Sequence, residues 1–238
     1  MDLVIVRENT EGFYADRNMH QGIGEFMPTP DMALAVRKVT AEASNRIARS
    51  AFDLARARRK KVTAVHKQNV LRVSDALFLR EVRAVAADYP DVELDDVLVD
   101  AATALLIRTP ERFDVMVTTN MFGDILSDEM AVICGSLGMM ASASLGANRN
   151  RHGYGYGLFE PSGGTAPDIA GQDKANPCAQ ILSAALMLRH SFGLEAEAKA
   201  IELAVEKTIA EGIRTADIAG GGKAVGTKAM GAAILARL

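Results

Sequence analysis

The chain has 238 residues, room for one large domain or two small ones at about 100–200 residues each. Hydrophobic residues at 49% and charged residues at 24% exclude a disordered or fibrous chain. A net charge of −3, only 5% aromatics and no Trp argue against nucleic acid or an anionic membrane as a main partner.

The first apolar run, 3–6, is short and has no basic leader, so it reads as a buried strand and not as a signal peptide. Residues 14–28 have weak periodicity and fit either an extended arm or a surface loop. Thr29-Pro30-Asp31 looks like a helix cap followed by proline in the first turn. Val36, Val39, Ala43, Ile47, Ala51 and Leu54 then recur at three- and four-residue steps, which predicts one long amphipathic helix. Further β-branched runs at 62–65, 97–99 and 115–118 predict strands, and a helix is expected over 74–87.

Residues 130–148 carry no charge, but Gly135, Gly138 and Gly146 make this stretch glycine-rich turns and not a membrane span. Such turns are expected to fill 135–164, followed by helices at 177–191, 194–211 and from 227. The alternation of strands and helices predicts an α/β layer architecture with a boundary near Gly135. Cys134 and Cys178 form no metal-binding motif, so both are expected to be small buried residues in a reducing cytoplasm.

Several polar residues stand where strands end, the place where open α/β sheets gather their sites. Arg7 follows the first run and suits bidentate recognition of a carboxylate, and Tyr14 can donate a proton. Lys67 follows the strand at 62–65 and fits a general acid or base, with His66 beside it structural. Asp100 ends the run 97–99 and serves either as an oxygen ligand or as the cap of a helix at 101–108. Asp124 and Asp128 are four apart at the start of a helix, so both carboxylates share one face. That pair suits Mg²⁺ or Mn²⁺, or equally the positive end of the helix dipole. The loop 159–171 is stiff and glycine-bearing but carries neither standard nucleotide signature.

Taken together, RENTEGFY at 7–14, VHKQNVL at 65–71 and VDAATALLIRTPERFDVMVTTNMFGDILSDE at 99–129 resemble the metal-dependent β-decarboxylating dehydrogenases. GSLGMMASASLG at 135–146 and EPSGGTAPDIAGQDKANP at 160–177 extend the resemblance to this family of isocitrate, isopropylmalate, homoisocitrate and tartrate dehydrogenases. The resemblance implies an isopropylmalate dehydrogenase-like, two-domain α/β fold. Residues 1–134 would supply most of the second, dimerisation domain, and 135–238 the C-terminal half of the first, cofactor-binding one. It implies oxidation and decarboxylation of a 2-hydroxy di- or tricarboxylic acid in a homodimer with shared sites. Arg7 would bind the substrate carboxylate, Lys67 would take the hydroxyl proton, and Tyr14 would protonate the carbon that loses CO₂. Asp124 and Asp128 of one chain, with Asp100 of the other, would hold Mg²⁺ or Mn²⁺ beside the substrate. Asn69 would lie near the nicotinamide, and Glu160, Gly163, Gly164, Thr165, Ala166, Pro167, Asp168 and Asn176 would form the adenosine loop. Asp168 would accept the ribose hydroxyls and repel a 2′-phosphate, which implies NAD, although the GQDKANP run resembles an NADP branch.

Two departures stand out. Gly163 occupies a position where the family usually has histidine, and the match lacks the longer N-terminal segment of full members. The second departure implies an N-terminally truncated fold: either another polypeptide completes it, or the start is truncated, or the fold has adapted. It also leaves open a non-catalytic or regulatory subunit that retains dimerisation and partial ligand binding.

Overall fold

The computed structural model describes residues 2–14 and 18–238. The chain divides into two compact units, Met1–Met130 and Ala131–Leu238.

The first unit is built on a four-stranded parallel sheet ordered β1-β6-β4-β5. Its strands are β1 (Val4–Arg7), β4 (Lys61–His66), β5 (Glu93–Leu98) and β6 (Val115–Thr118). A separate antiparallel hairpin, β2 (Glu25–Thr29) and β3 (Met32–Ala35), lies between β1 and β4 in sequence. Helices α1 (Ala41–Arg56) and α2 (Ser74–Ala86) flank β4, and α3 (Val99–Arg108) and α4 (Asn120–Ile133) follow β5 and β6.

Side chains alternate across a strand, and the sequence uses that period to build two cores. Val62 and Ala64 of β4, with Val115 and Val117 of β6, pack against Ala48, Ala51, Phe52 and Ala55 of α1 and Phe78, Leu79 and Val82 of α2. Val65 and Met116 face the other way, onto Ala102 and Leu106 of α3 and Leu126 and Met130 of α4. With both faces covered, the central strands read as continuous buried runs, Val-Thr-Ala-Val in β4 and Val-Met-Val-Thr in β6.

The long helix expected from Thr29 does not form there. Thr29-Pro30-Asp31 sits at the tip of the β2–β3 hairpin, where the Thr29 hydroxyl donates to Asp31 Oδ1 at 2.5 Å. Proline with a flanking Asp serves a turn as well as it serves a helix start, and the ladder Glu25↔Ala35, Phe26↔Leu34 claims the backbone instead. Helix α1 begins twelve residues after Thr29, at Ala41, capped by Thr40, whose hydroxyl accepts from the Ala43 amide at 3.2 Å. Val36 and Val39 therefore lie before the helix. Of the arm expected at 14–28, residues 25–28 belong to β2, and residues 15–17 lie outside the described residues.

The second unit holds an antiparallel pair, β7 (Ala141–Arg149) and β8 (Gly155–Pro161), where turns were expected. Small residues in β7 concealed the strand, because Ala, Ser and Gly carry little β-propensity. Helices α5 (Cys178–Met187), α6 (Glu195–Ala210) and α7 (Thr227–Leu235) follow. They bury Cys178, Ala204, Val205, Met230 and Ile234 together. Cys178 is buried as expected, whereas Cys134 is exposed just past the end of α4. Among the described residues no helix is long and apolar enough to cross a membrane.

Candidate active site

Arg7 is the last residue of β1 and His66 the last of β4, while β5 and β6 end at Leu98 and Thr118. The residues singled out in the first unit therefore gather at, or just beyond, the carboxyl ends of its parallel strands.

One cluster forms around the Arg7 guanidinium, and all three of its nitrogens are engaged. Nε donates to Asn120 Oδ1 at 2.8 Å, Nη2 donates to the Tyr14 hydroxyl at 2.8 Å, and Nη1 pairs with Asp124. The Tyr14 hydroxyl in turn donates to Asp124 Oδ2 at 2.9 Å. Burial raises the Tyr14 phenol above its ordinary pKa, and the hydrogen bond to Asp124 adds to it while Arg7 opposes, so the proton is retained. Asn120 is buried and fixed from behind, since its Nδ2 donates to the Glu11 carbonyl at 2.8 Å. The stem of Arg7 lies across α4 at Gly123, where an added Cβ would meet Arg7 Cγ at 2.6 Å.

Lys67 makes the second cluster. Its Nζ lies 2.7 Å from Asp100 Oδ1, and that hydrogen bond holds the Asp100 carboxyl below its usual pKa. Asp100 neither ends β5 nor caps a helix. It stands in the first turn of α3, whose cap position is Leu98, because Val99 already belongs to the helix. Asn69 is exposed in the turn after Lys67 and lines a surface cleft with His66, Gln68, Arg72 and Leu98. His66 is buried, with its Nε2 3.1 Å from Asp96 and its Nδ1 accepting the Gln68 amide, a structural arrangement.

Asp124 and Asp128 are exposed, one turn apart on α4, and offer the hard carboxylate oxygens that Mg²⁺ or Mn²⁺ prefers. Strand β5, which leads to Asp100, lies two positions from β6, which leads to α4. At the usual strand spacing that is roughly 10 Å. Among the described residues no three His, Cys, Asp or Glu side chains come together as a ligand set. The donor chemistry fits the ion, whose other positions water, substrate oxygens or a further carboxylate can fill.

In the second unit, β8 leads into the loop expected to hold adenosine. Glu160 is exposed on β8, and its carbonyl accepts the Ser142 hydroxyl at 2.8 Å. Gly163 is half-buried, Gly164 and Thr165 are exposed, and Ala166 takes a left-handed conformation with φ of 42°. Pro167 and Asp168 open a short 3-10 turn that leaves the Asp168 carboxylate exposed. An exposed carboxylate on a tight turn suits paired ribose hydroxyls, so this loop fits a dinucleotide. Asn176 is half-buried and already engaged, donating to Asp217 Oδ2 and accepting the Cys178 amide, both at 3.0 Å.

Asn120, Gly123 and Glu11, which shape the surroundings of Arg7, have no mark in the sequence. Each acts through contacts with residues distant in the chain, and a buried Asn or Glu carries no local signal of its partner.

Residues 1–234 match the family described as isocitrate/isopropylmalate dehydrogenase. The chain belongs to that family. Among curated relatives, 3-isopropylmalate dehydrogenase from Sodalis glossinidius is 51% identical over 99% of this chain and 62% of its own length. The Priestia megaterium 3-isopropylmalate dehydrogenase is 52% identical over 99% of this chain and 61% of its own length. The crystal structure of isocitrate dehydrogenase from Methylococcus capsulatus superposes with a TM-score of 0.87 at 46% identity, covering 99% of this chain and 66% of that one. The isopropylmalate dehydrogenase-like α/β fold is thus shown, and this chain spans about three fifths of the length of those curated relatives.

Proposed function

We propose that this chain carries the proton-transfer, metal-binding and dinucleotide-loop residues of an NAD-dependent β-decarboxylating dehydrogenase acting on a 2-hydroxy di- or tricarboxylate. The observation that carries the reading is the Arg7–Tyr14–Asp124 cluster at the sheet's carboxyl edge. Arg7, Tyr14 and Asp124 touch one another there, and their chemistry suits binding a carboxylate, giving up a phenolic proton and holding a hard cation. Its setting in an isocitrate/isopropylmalate dehydrogenase fold supports the same reading.

The chemistry follows from these groups. Mg²⁺ or Mn²⁺ would be held by Asp124 and Asp128, with Asp100 lent by a second copy of the chain. Bound there, the ion supplies Lewis acidity to a hydroxyl and its adjacent carboxylate. NAD, on the loop around Asp168, supplies the hydride acceptor. Arg7 binds and orients the substrate carboxylate through the second N–H of each Nη, the ones not given to Tyr14 and Asp124. Lys67 Nζ, beside Asp100, takes the proton of the hydroxyl in its neutral amine form as that carbon is oxidised to a carbonyl, and becomes the ammonium. The neighbouring carboxylate leaves as CO₂, and its bonding electrons stay on carbon. Tyr14 then supplies the proton it has retained. Relatives named for 3-isopropylmalate and for isocitrate support this substrate class, since both are 2-hydroxy acids with a second carboxylate placed for loss.

Two free cysteines support a reducing compartment, and we place the protein in the cytoplasm. A homodimer is favoured because the acidic ligands do not meet within one chain.

The test is turnover of isocitrate and 3-isopropylmalate with NAD or NADP, with and without chelator. We expect activity with one of these acids, lost on chelation and restored by Mg²⁺ or Mn²⁺, and a higher kcat/KM for NAD. Asp168→Lys should narrow or reverse that preference. Full activity in excess chelator would sink the metal assignment, and a wild-type preference for NADP would sink the reading of the Asp168 loop.

A further inference from the structure

Behind Lys67 lies a buried ion pair that the chemistry above does not use. Asp75, in the first turn of α2, has a fully buried side chain, and that of Arg37 is 8% exposed. Arg37 comes from the segment between β3 and α1. Its Nη1 pairs with Asp75 Oδ1 and donates to Ser74 Oγ at 2.8 Å, and its Nη2 donates to Thr119 Oγ1 at 3.0 Å. The guanidinium also stands 5.4 Å from the Phe122 ring centre and 5.9 Å from that of Phe13. The other Asp75 oxygen, Oδ2, accepts the backbone N–H of Lys67 at 2.5 Å. On the far side of the same residue, the Lys67 carbonyl accepts the amides of Val70 and Leu71 at 3.0 and 2.8 Å.

Stability alone is a weak explanation for such a pair. Desolvation offsets most of the attraction between buried charges, and an apolar pair of similar volume often folds as well. An apolar pair cannot accept the Lys67 amide. Asp75 also departs from what an acid in a first helical turn usually does, which is to face its own helix's free amides. Here one oxygen faces Arg37 and the other reaches back to the peptide preceding the helix. A lysine stem has four rotatable bonds, so the reach of its ammonium is only as well defined as the backbone that carries it.

We propose that Asp75, held by Arg37, is a positioning residue for Lys67: it fixes the peptide from which Nζ reaches Asp100 and the substrate hydroxyl. The inference rests on the proposed role of Lys67. Through the Thr119 hydroxyl and the Phe122 ring, the same Arg37 also touches side chains at the start of α4.

Two double variants of the full chain separate positioning from stability. Arg37→Met with Asp75→Leu removes both charges and the acceptor, whereas Arg37→Met with Asp75→Asn removes both charges and keeps an acceptor for Lys67. With NAD, metal ion and hydroxy acid present, the leucine version should lose about 10- to 100-fold in kcat. Its KM should move by less than about threefold, and the asparagine version should recover most of the loss. A merely structural role would make kcat follow Tm and not the acceptor. Lys67→Ala is run beside them. If it is as active as wild type, the functional reading fails. If it is dead while the leucine version keeps wild-type kcat, this inference alone fails. A measurement on wild type covers variants that do not fold: the Lys67 amide should exchange its hydrogen at least about 100-fold slower than an unstructured amide. Rapid exchange there overturns the proposal.

Discussion

Arg7 and Gly123 show how one side chain can dictate its neighbour's identity. Alanine is the better helix former, by about 1 kcal/mol, yet a Cβ at position 123 would sit 2.8 Å from Arg7 Cβ and 2.6 Å from Cγ. Those atoms are at the root of the side chain, so the whole arginine must move. Gly123→Ala is expected to lower Tm, because an overpacking cost of about 1–3 kcal/mol outweighs the helical gain, and to lower kcat/KM by about 10- to 100-fold, read from thermal unfolding and steady-state rates on the same preparation. Unchanged kinetics would show that Arg7 has room to shift.

Cys178 makes a prediction about pH. Burial pushes its thiol up to about 11, and Asp217 adds to the effect. The folded value stands above the ordinary one of 9.0, so this contribution is complete below about pH 9 and is lost as the pH rises toward 11. Denaturation midpoints from pH 8 to 11 should fall less steeply in Cys178→Ala than in wild type. Parallel curves would contradict the buried-thiol account.

At this scale the sequence was informative wherever a polar residue interrupts an apolar strand. Arg7 and Lys67 stand at and just beyond strand ends as their sequence context suggested, whereas Asp100 falls in the first turn of α3, because Val99 belongs to the helix and not to β5. Asp124 and Asp128 were legible from their spacing. Asn120 and Asp75 were not, because their importance lies in which distant backbone group they meet.

Among the elements, α1 depends on a tie from outside itself. Thr40 caps the helix, and the buried Glu11 carboxylate accepts the Thr40 amide at 2.6 Å and its hydroxyl at 3.0 Å. The same Glu11 offers its carbonyl to Asn120, so the start of α1 and the arrangement around Arg7 share one residue. Thr40→Ala should cost about 1–2 kcal/mol, a Tm decrease of roughly 2–4 °C per kcal/mol for a chain of this length. Thr40→Ser should recover most of it, and if serine is no better than alanine the cap is not the cause. The central strands β4 and β6 were readable because both faces are buried and their runs are mostly apolar, whereas the edge strand β5, Glu-Leu-Asp-Asp-Val-Leu, showed only at its last residues. The two hairpins were not readable. Thr29-Pro30-Asp31 has turn and cap chemistry at once, and only pairing with residues 32–35 decides between them. In the second unit, the Ala-Ser-Ala-Ser stretch of β7 acquires strand character from its partner, β8.

Over the whole molecule, the separation of Asp100 from α4 leads to a prediction about assembly. If each chain lends Lys67 and Asp100 to its partner's site, two inactive variants should repair one another. Lys67→Ala and Asp124→Asn, each nearly dead, would form hybrid dimers with one doubly damaged site and one intact site. With random pairing about half of the dimers are hybrids, so roughly a quarter of wild-type activity should return on dissociation and remixing. No recovery, with subunit exchange demonstrated by mass, would place Lys67 in its own chain's site.

The order β1-β6-β4-β5 also governs when such a site can come into existence. Strand β1 carries Arg7 but pairs only with β6, more than a hundred positions later in the chain, in the register Val4↔Val115. Synthesis delivers the first strand long before its neighbour, and closing so long a loop is slow because its entropy is lost before any contact compensates. During that interval the apolar run from Val4 to Val6 lacks β6, its ladder partner in the sheet, a state open to aggregation or to capture by a chaperone. In refolding experiments, helical signal from α1 and α2 should therefore return early, while catalytic competence, which needs β1 seated beside β6, should be among the last properties regained.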